Sequence, residues 1–172
     1  MFQVLFVCTA NQCRSPMAAA LAQDAFDKRD LDVKVRSAGV SAGGFPSTAE
    51  AQQVMQERGL NLSKHMSVNV AEVLDPAPDL ILAMEPRHLR EIDGQAFTLK
   101  GFLRLAREAG PRADEESVDR YIRRVHNPGK SSQRSDAIRD PIGLGIAEYR
   151  RCAAELEAAI GELADLVWPS SV

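Results

Sequence analysis

Apolar positions along this chain fall into two alternating patterns, short unbroken runs and longer stretches with an apolar residue every three or four positions. Val4-Leu5-Phe6-Val7 is an unbroken run ending at Cys8, as expected of a strand covered on both faces. After a short polar loop, Ser15-Pro16 marks a helix start, with Ser as the cap and Pro at the first helical position. The predicted helix spans 16–29 and places Met17, Ala20, Leu21, Ala25 and Phe26 on or near one face. A second strand is expected at 33–37, a helix at 48–58 stopped by Gly59, and a helical turn at 68–74. A strand at 79–84, a helix at 86–92 and a fourth strand at 96–99 follow. In the final segment Ile146, Tyr149, Ala153, Leu156, Ile160, Leu163 and Val167 repeat at helical spacing, so one face of a long helix packs on the sheet. Strands separated by helices imply parallel pairing through right-handed crossovers. The expected fold is α/β, a three-layer α/β/α sandwich around a four-stranded parallel sheet, with ligands beyond the carboxyl ends of the strands.

Length and composition add boundaries. Residues 1–172 read as one domain, with no internal repeat and no interdomain linker. Residues 109–135, rich in Gly, Pro, Ser and charge, read as an irregular excursion carrying a helical piece around 118–125. No apolar run reaches membrane-spanning length, and Met1 leads straight into a strand without a basic region or signal core. An odd number of cysteines, three, suits a reducing compartment better than a disulfide framework. Cytoplasmic location, no membrane span and a monomer are therefore expected. The net charge of -3 argues against general nucleic-acid binding. Residues 104–139 depart from it, with nine Lys/Arg against six Asp/Glu, a run read as a solvated loop in preference to a docking surface for acidic partners. Cys8, Cys13, Cys152, His65, His88 and His126 show no paired metal-ligand spacing, so neither a metal nor another cofactor is expected.

The chemistry concentrates where the first strand ends. Cys8 stands at a strand's carboxyl end, at the mouth of a loop feeding a helix N-terminus, where positive potential and unpaired N–H groups gather. A thiolate is a good nucleophile, and its pKa falls beside Arg and at a helix N-terminus. Successive N–H groups over Thr9, Ala10, Asn11, Gln12 and Cys13 can form a concave nest for phosphoryl oxygens. Arg14, six residues after the cysteine, can return over the sulfur as a planar two-point clamp. Ser15 can donate its hydroxyl to the Cys8 sulfur. Cys-x5-Arg-Ser is thus a phosphoryl-transfer arrangement. The leaving oxygen needs a proton, and Asp140, stiffened by Pro141 just ahead of the last helix, is the candidate general acid; Asp75-Pro76 shows how common that dipeptide is.

These residues resemble the low-molecular-weight protein tyrosine phosphatase family, whose N-terminal signature reads C-x5-R-S. Val35-Arg36-Ser37-Ala38-Gly39, Leu62-Ser63-Lys64-His65-Met66-Ser67, Asp79-Leu80-Ile81-Leu82-Ala83-Met84 and Asp140-Pro141 match further family segments in order. The resemblance implies Cys8, Arg14 and Asp140 as catalytic residues and Thr9 to Cys13 with Ser15 as the substrate-binding loop. It also implies a supporting network of Asn11, Ser15, Ser37 and His65. It further implies a reversible Cys8–Cys13 disulfide shielding the thiolate, and a phosphorylated protein substrate, a kinase or another phosphoprotein. Where the family usually carries Arg after the His, this chain has Met66. Arsenate reductases of similar fold relay electrons through cysteines after the third strand, where this chain reads LILAMEPRHLREI. A non-catalytic phospho-binding module would be expected to lack Cys8, Arg14 or Asp140. Tyrosine-specific members tend to carry an apolar residue at the Gln12 position and aromatics after Asp-Pro, and arginine phosphatases carry Thr at the Gln12 position. This chain has Gln12 and Ile142-Gly143-Leu144-Gly145, which match neither type and imply a less aromatic, more polar pocket. Its CTANQCRSPM loop and Ala96-Phe97-Thr98-Leu99-Lys100 lean slightly towards the bacterial arginine-phosphatase branch; phosphotyrosine is still the primary expectation and phosphoarginine the alternative.

Overall fold

The computed structural model describes residues 1–41, 43–127 and 132–169. Strands β1 (Phe2–Cys8), β2 (Val33–Gly39), β3 (Leu80–Ala83) and β4 (Phe97–Thr98) form one sheet in the order β2-β1-β3-β4, every neighbouring pair parallel. Helices α1 (Arg14–Asp27), α2 (Ala49–Gln56), α3 (Leu99–Ala109), α4 (Val118–Val125) and α5 (Ile146–Val167) complete the expected α/β sandwich. Side chains alternate across β1. Val4, Phe6 and Cys8 enter the larger apolar cluster, while Leu5 and Val7 enter a smaller one on the opposite face. All five helices feed the larger cluster, through Met17, Val54, Phe102, Tyr121 and Leu156 among others. The opposite layer is thin. Two short 3₁₀ turns, Val70–Val73 and Pro86–Glu91, cover Leu5, Val7 and Ile81 there.

Three expectations are corrected. The helix expected at 86–92 is the 3₁₀ turn Pro86–Glu91. α1 begins at Arg14 with Cys13 in the cap position, and Ser15 lies inside its first turn with its hydroxyl committed elsewhere. The fourth strand stops at Thr98, whose hydroxyl accepts the Gly101 N–H at 3.1 Å and starts α3 directly. α3 was not foreseen. It buries Leu99, Phe102, Leu103, Leu105 and Ala106.

The 109–135 excursion contains α4 over the expected residues, and 128–131 lie outside the described residues. The Arg112 N–H donates to the Leu166 carbonyl at 2.8 Å, and Arg124 pairs with Glu116 at 2.8 Å, so the segment before α4 is tied to α5 and to itself. Much of the basic run containing it meets carboxylates, some within the run and some on α5. Arg104 pairs with Asp136, Arg107 with Glu162, Arg123 with Asp119 and Arg139 with Glu148.

One contact fixes where the loop after β1 sits. Gly39, in register with Cys8, lies so close to that loop that a Cβ would stand 2.7 Å from the Thr9 carbonyl oxygen and 2.8 Å from the Asn11 nitrogen. The Val40 and Ser41 N–H groups then bond the Cys8 and Thr9 carbonyls at 3.1 and 2.9 Å.

Candidate active site

The Cys8–Ser15 loop leaves the carboxyl edge of the sheet and curls because Asn11 adopts φ 54°, a left-handed conformation that its side chain tolerates. The curl turns the Asn11 N–H back onto the Cys8 sulfur at 3.2 Å. Asn11 then anchors the loop in three directions. Its Nδ2 donates to Ser15 Oγ at 2.8 Å and to Ser37 Oγ at 2.9 Å, and its Oδ1 accepts the Val68 N–H at 3.0 Å. His65 Nε2 lies 2.7 Å from the Asn11 carbonyl, which only accepts, so the ring carries its hydrogen on Nε2. All four residues of the expected network are therefore in contact. Exposed Met66, after His65, leaves the network intact.

Ser15 Oγ stands 3.0 Å from Cys8 Sγ and 3.2 Å from the Ala38 carbonyl. Its hydroxyl has one hydrogen and accepts from Asn11, so a thiolate at Cys8 would compete directly with Ala38 for that hydrogen. Among the described residues, the N–H groups of Thr9, Ala10, Gln12 and Cys13 bond to no carbonyl or side chain. They belong to residues lining a cavity of about 120 Å³, bounded by Cys8, Thr9, Ala10, Gln12, Cys13 and Arg14 on one side and Asp140 and Ile142 on the other. Such a cavity suits a small anion far better than a nucleotide.

Arg14 is 1% exposed and its charge is fully matched. Nη1 donates to the Ile138 carbonyl at 2.9 Å and to Glu85, while Nη2 donates to Asp140 Oδ2 at 2.8 Å. Nη2 also reaches Thr9 Oγ1 at 3.5 Å, and Nε has no partner among the described residues, so a bound phosphoryl group would take Nε and displace Thr9 or Asp140 from Nη2 to be gripped at two points. Asp140 Oδ1 accepts the Ile142 N–H at 3.1 Å, a turn that orients the carboxyl. Asp75 precedes β3 at the amino edge of the sheet, opposite the loop, and is no rival for the role.

Three residues beside the site escaped the sequence reading. Glu85 follows the neighbouring strand and pairs with both Arg14 and Arg87. Burial would raise its carboxyl, but hydrogen bonds from Arg87 and Arg14 outweigh that and hold it below the usual carboxylate range. Its place just past the strand next to the one that ends at Cys8 was a signal available from topology. Arg87 Nη2 donates to Thr9 Oγ1 at 3.1 Å. His88 Nε2 lies 2.9 Å from the same hydroxyl, and burial, helped by the nearby Arg14 charge, drives this imidazole down to about 4.

Two further thiols are buried. Cys13 Sγ sits 3.4 Å from the Tyr149 hydroxyl and 3.6 Å from Thr48 Oγ1, and burial pushes its pKa up. Cys152 is buried on α5, which pushes its thiol up to about 12.

Relatives identify this architecture. The family described as low molecular weight phosphotyrosine protein phosphatase matches residues 3–169. The chain belongs to that family. It is a cysteine-dependent phosphatase, and such phosphatases act on phosphorylated protein substrates. A protein-arginine-phosphatase of Bacillus subtilis (strain 168) is 32% identical over 169 residues, 94% of this chain and 93% of that protein. The crystal structure of a low molecular weight protein tyrosine phosphatase from T. tengcongensis is 30% identical and superposes with a TM-score of 0.70, covering 96% of this chain and 99% of that one. The structure of a YwlE arginine phosphatase mutant with a phosphorylated active-site serine is 30% identical, with a TM-score of 0.72 over 95% of this chain and 94% of that one.

Proposed function

We propose that this phosphatase hydrolyses phosphotyrosine in proteins through a phospho-cysteine on Cys8. The observation carrying the reading is the cradle itself, in which Cys8 Sγ is held at 3.0 Å from Ser15 Oγ beside unbonded N–H groups and the Arg14 guanidinium, which lines the same cavity. The Cys8 thiolate attacks phosphorus, the phosphorus–sulfur bond forms, and the bond to the leaving oxygen breaks as Asp140 protonates that oxygen. Water then attacks phosphorus, Asp140 takes its proton, and the thiolate leaves, stabilised by the Ser15 hydroxyl and the Asn11 N–H. Arg14 and the loop N–H groups carry the charge that builds on the equatorial oxygens. A relative with phosphate on its active-site side chain supports the covalent intermediate.

Phosphoarginine is the second reading. It is supported by the end-to-end match to a protein-arginine-phosphatase and by the mouth of the cavity, where the Gln12 amide and Asp140 could bond a guanidinium and, among the described residues, no aromatic side chain lines the wall. In both readings the natural substrate is a kinase or another phosphoprotein, and the enzyme works as a cytoplasmic monomer without a cofactor. No helix among the described residues is long and apolar enough to cross a membrane. Cys8 and Cys13 line one cavity, which supports the protective disulfide.

The deciding experiment is hydrolysis of matched phosphotyrosine and phosphoarginine peptides by one preparation, with Cys8→Ser alongside. Faster turnover of phosphotyrosine, abolished by Cys8→Ser with phosphate or vanadate binding retained, is expected. Substantial turnover by Cys8→Ser would end the phospho-cysteine mechanism, and a clear preference for phosphoarginine would move the enzyme to the second reading.

A further inference from the structure

Beside the catalytic cradle lies a second, larger concavity of about 630 Å³, lined by Glu85, Pro86, Arg87, Leu89, Arg90 and Arg134 among others. It shares a wall with the cradle. Arg87 reaches across to the Thr9 hydroxyl at 3.1 Å, and Glu85 bonds Arg14 on one side and Arg87 on the other. The charges in this groove do not cancel. Glu85 is matched by Arg14 and Arg87, whereas exposed Arg90 and Arg134 have no carboxylate partner among the described residues. Of the same basic run, Arg104, Arg107, Arg123, Arg124 and Arg139 are paired, and Arg112 and Arg120, which also lack a carboxylate partner among the described residues, do not line the groove. Two unmatched guanidinium groups on a chain of net charge -3 make a local reversal of sign at the rim of the active site.

We propose that this groove docks acidic residues flanking the phosphorylated residue of the protein substrate, through Arg90 and Arg134. With the phosphoryl group held in the cradle, the substrate backbone must cross the rim, and the Glu85–Arg87 wall is part of that rim. Carboxylates within a few residues of the target would then meet planar guanidinium donors in a two-point geometry. The groove is open to water, so each contact is worth little alone and is screened by salt. Its effect is on capture and orientation of substrate more than on the chemical step. The inference rests on the phosphatase reading and extends it to the sequence around the target.

The test uses the full chain and phosphotyrosine and phosphoarginine peptides carrying three Glu or three Gln, before or after the target. A third set replaces Glu with phosphoserine. p-Nitrophenyl phosphate serves as a substrate without flanks. On one side of the target, Glu peptides should show kcat/KM about 3–10-fold above their Gln counterparts, a gain lost at 1 M salt (Debye length ~3 Å) and in the Arg90→Ser/Arg134→Ser double variant. The double variant should hydrolyse p-nitrophenyl phosphate like the parent, since neither arginine touches the cradle. Equal kcat/KM for Glu and Gln peptides, or a Glu preference surviving in the double variant, overturns the proposal. A preference for phosphoserine without one for Glu overturns it in favour of a second-phosphate site. Loss of p-nitrophenyl phosphate turnover by the parent would instead sink the phosphatase reading.

Discussion

Replacing Gly39 with Ala puts one methyl group into the wall that carries the catalytic loop. The added carbon would meet the Thr9 oxygen at 2.7 Å, the Asn11 nitrogen at 2.8 Å and the Ala10 carbonyl carbon at 2.9 Å. All three are backbone atoms, so no flexible side chain can swing away, and ordinary contact begins at 3.4 Å. Either β2 recoils or the loop moves by several tenths of an ångström. Both neighbours are constrained, β2 by its ladder to β1 and the loop by Asn11 and His65. Overpacking of this kind costs about 1–3 kcal/mol, which in a chain of this size lowers Tm by roughly 2–10 °C. The kinetic effect should be larger, because a shift approaching 1 Å in the geometry around a nucleophile can cost about 100-fold. Gly39→Ala should therefore show kcat/KM for p-nitrophenyl phosphate reduced about 10–100-fold, with a lower Tm in a thermal melt. Gly161→Ala is the control, since nothing lies within 4 Å of its added carbon. A Gly39→Ala enzyme matching the parent in both kcat/KM and Tm would refute the tight loop-to-strand packing.

Asp140→Ala should slow aryl phosphate hydrolysis about 10²–10⁴-fold, with a smaller loss for a very good leaving group; equal losses across leaving groups, or an equal effect of Asp75→Ala, would remove it as general acid. Gln12, half-buried on the cavity wall, should govern selectivity. Gln12→Leu is expected to raise phosphotyrosine relative to phosphoarginine turnover by about 10-fold and Gln12→Thr to move the ratio the other way, and one ratio shared by all three enzymes would shift attention to the residues after Asp140. His88 should also make the fold acid-sensitive. Unfolded, it binds a proton near 6.5, while folded it stays neutral to about 4, so stability is fully present above pH 6.5 and falls by up to about 3 kcal/mol as pH drops towards 4. Chemical denaturation across that range should show a shallower slope for His88→Gln, and identical slopes would contradict the buried neutral imidazole.

The elements that sequence alone revealed are those in which local pattern and tertiary role agree. The β1 run, the Cys-x5-Arg-Ser loop and the periodic stripe of α5 each carry their own signal, and α4 and α5 appear over the residues expected. α3 was hidden because Phe97-Thr98-Leu99 reads as strand and Gly101 interrupts the helical pattern, although Leu99, Phe102, Leu103 and Ala106 follow helical spacing. Ser15 was assigned as a cap from its type, but Cys8, Asn11 and the Ala38 carbonyl claim its hydroxyl. The partners of Arg14 were the least legible. One is the carbonyl of Ile138, which any residue would supply, and Glu85 becomes a neighbour only after β3 pairs with β1.

The anchoring of Arg14 has a consequence for the order in which the site comes into being. Its loop leaves the ribosome well ahead of Glu85, Ile138 and Asp140, which lie 71, 124 and 126 positions further along. At about 5–20 residues per second, the loop waits several seconds or more for the groups that hold its guanidinium, Asp140 among them. A nascent chain thus carries Cys8 long before it carries a complete site, and turnover by a stalled chain should begin only after Asp140 has cleared the exit tunnel.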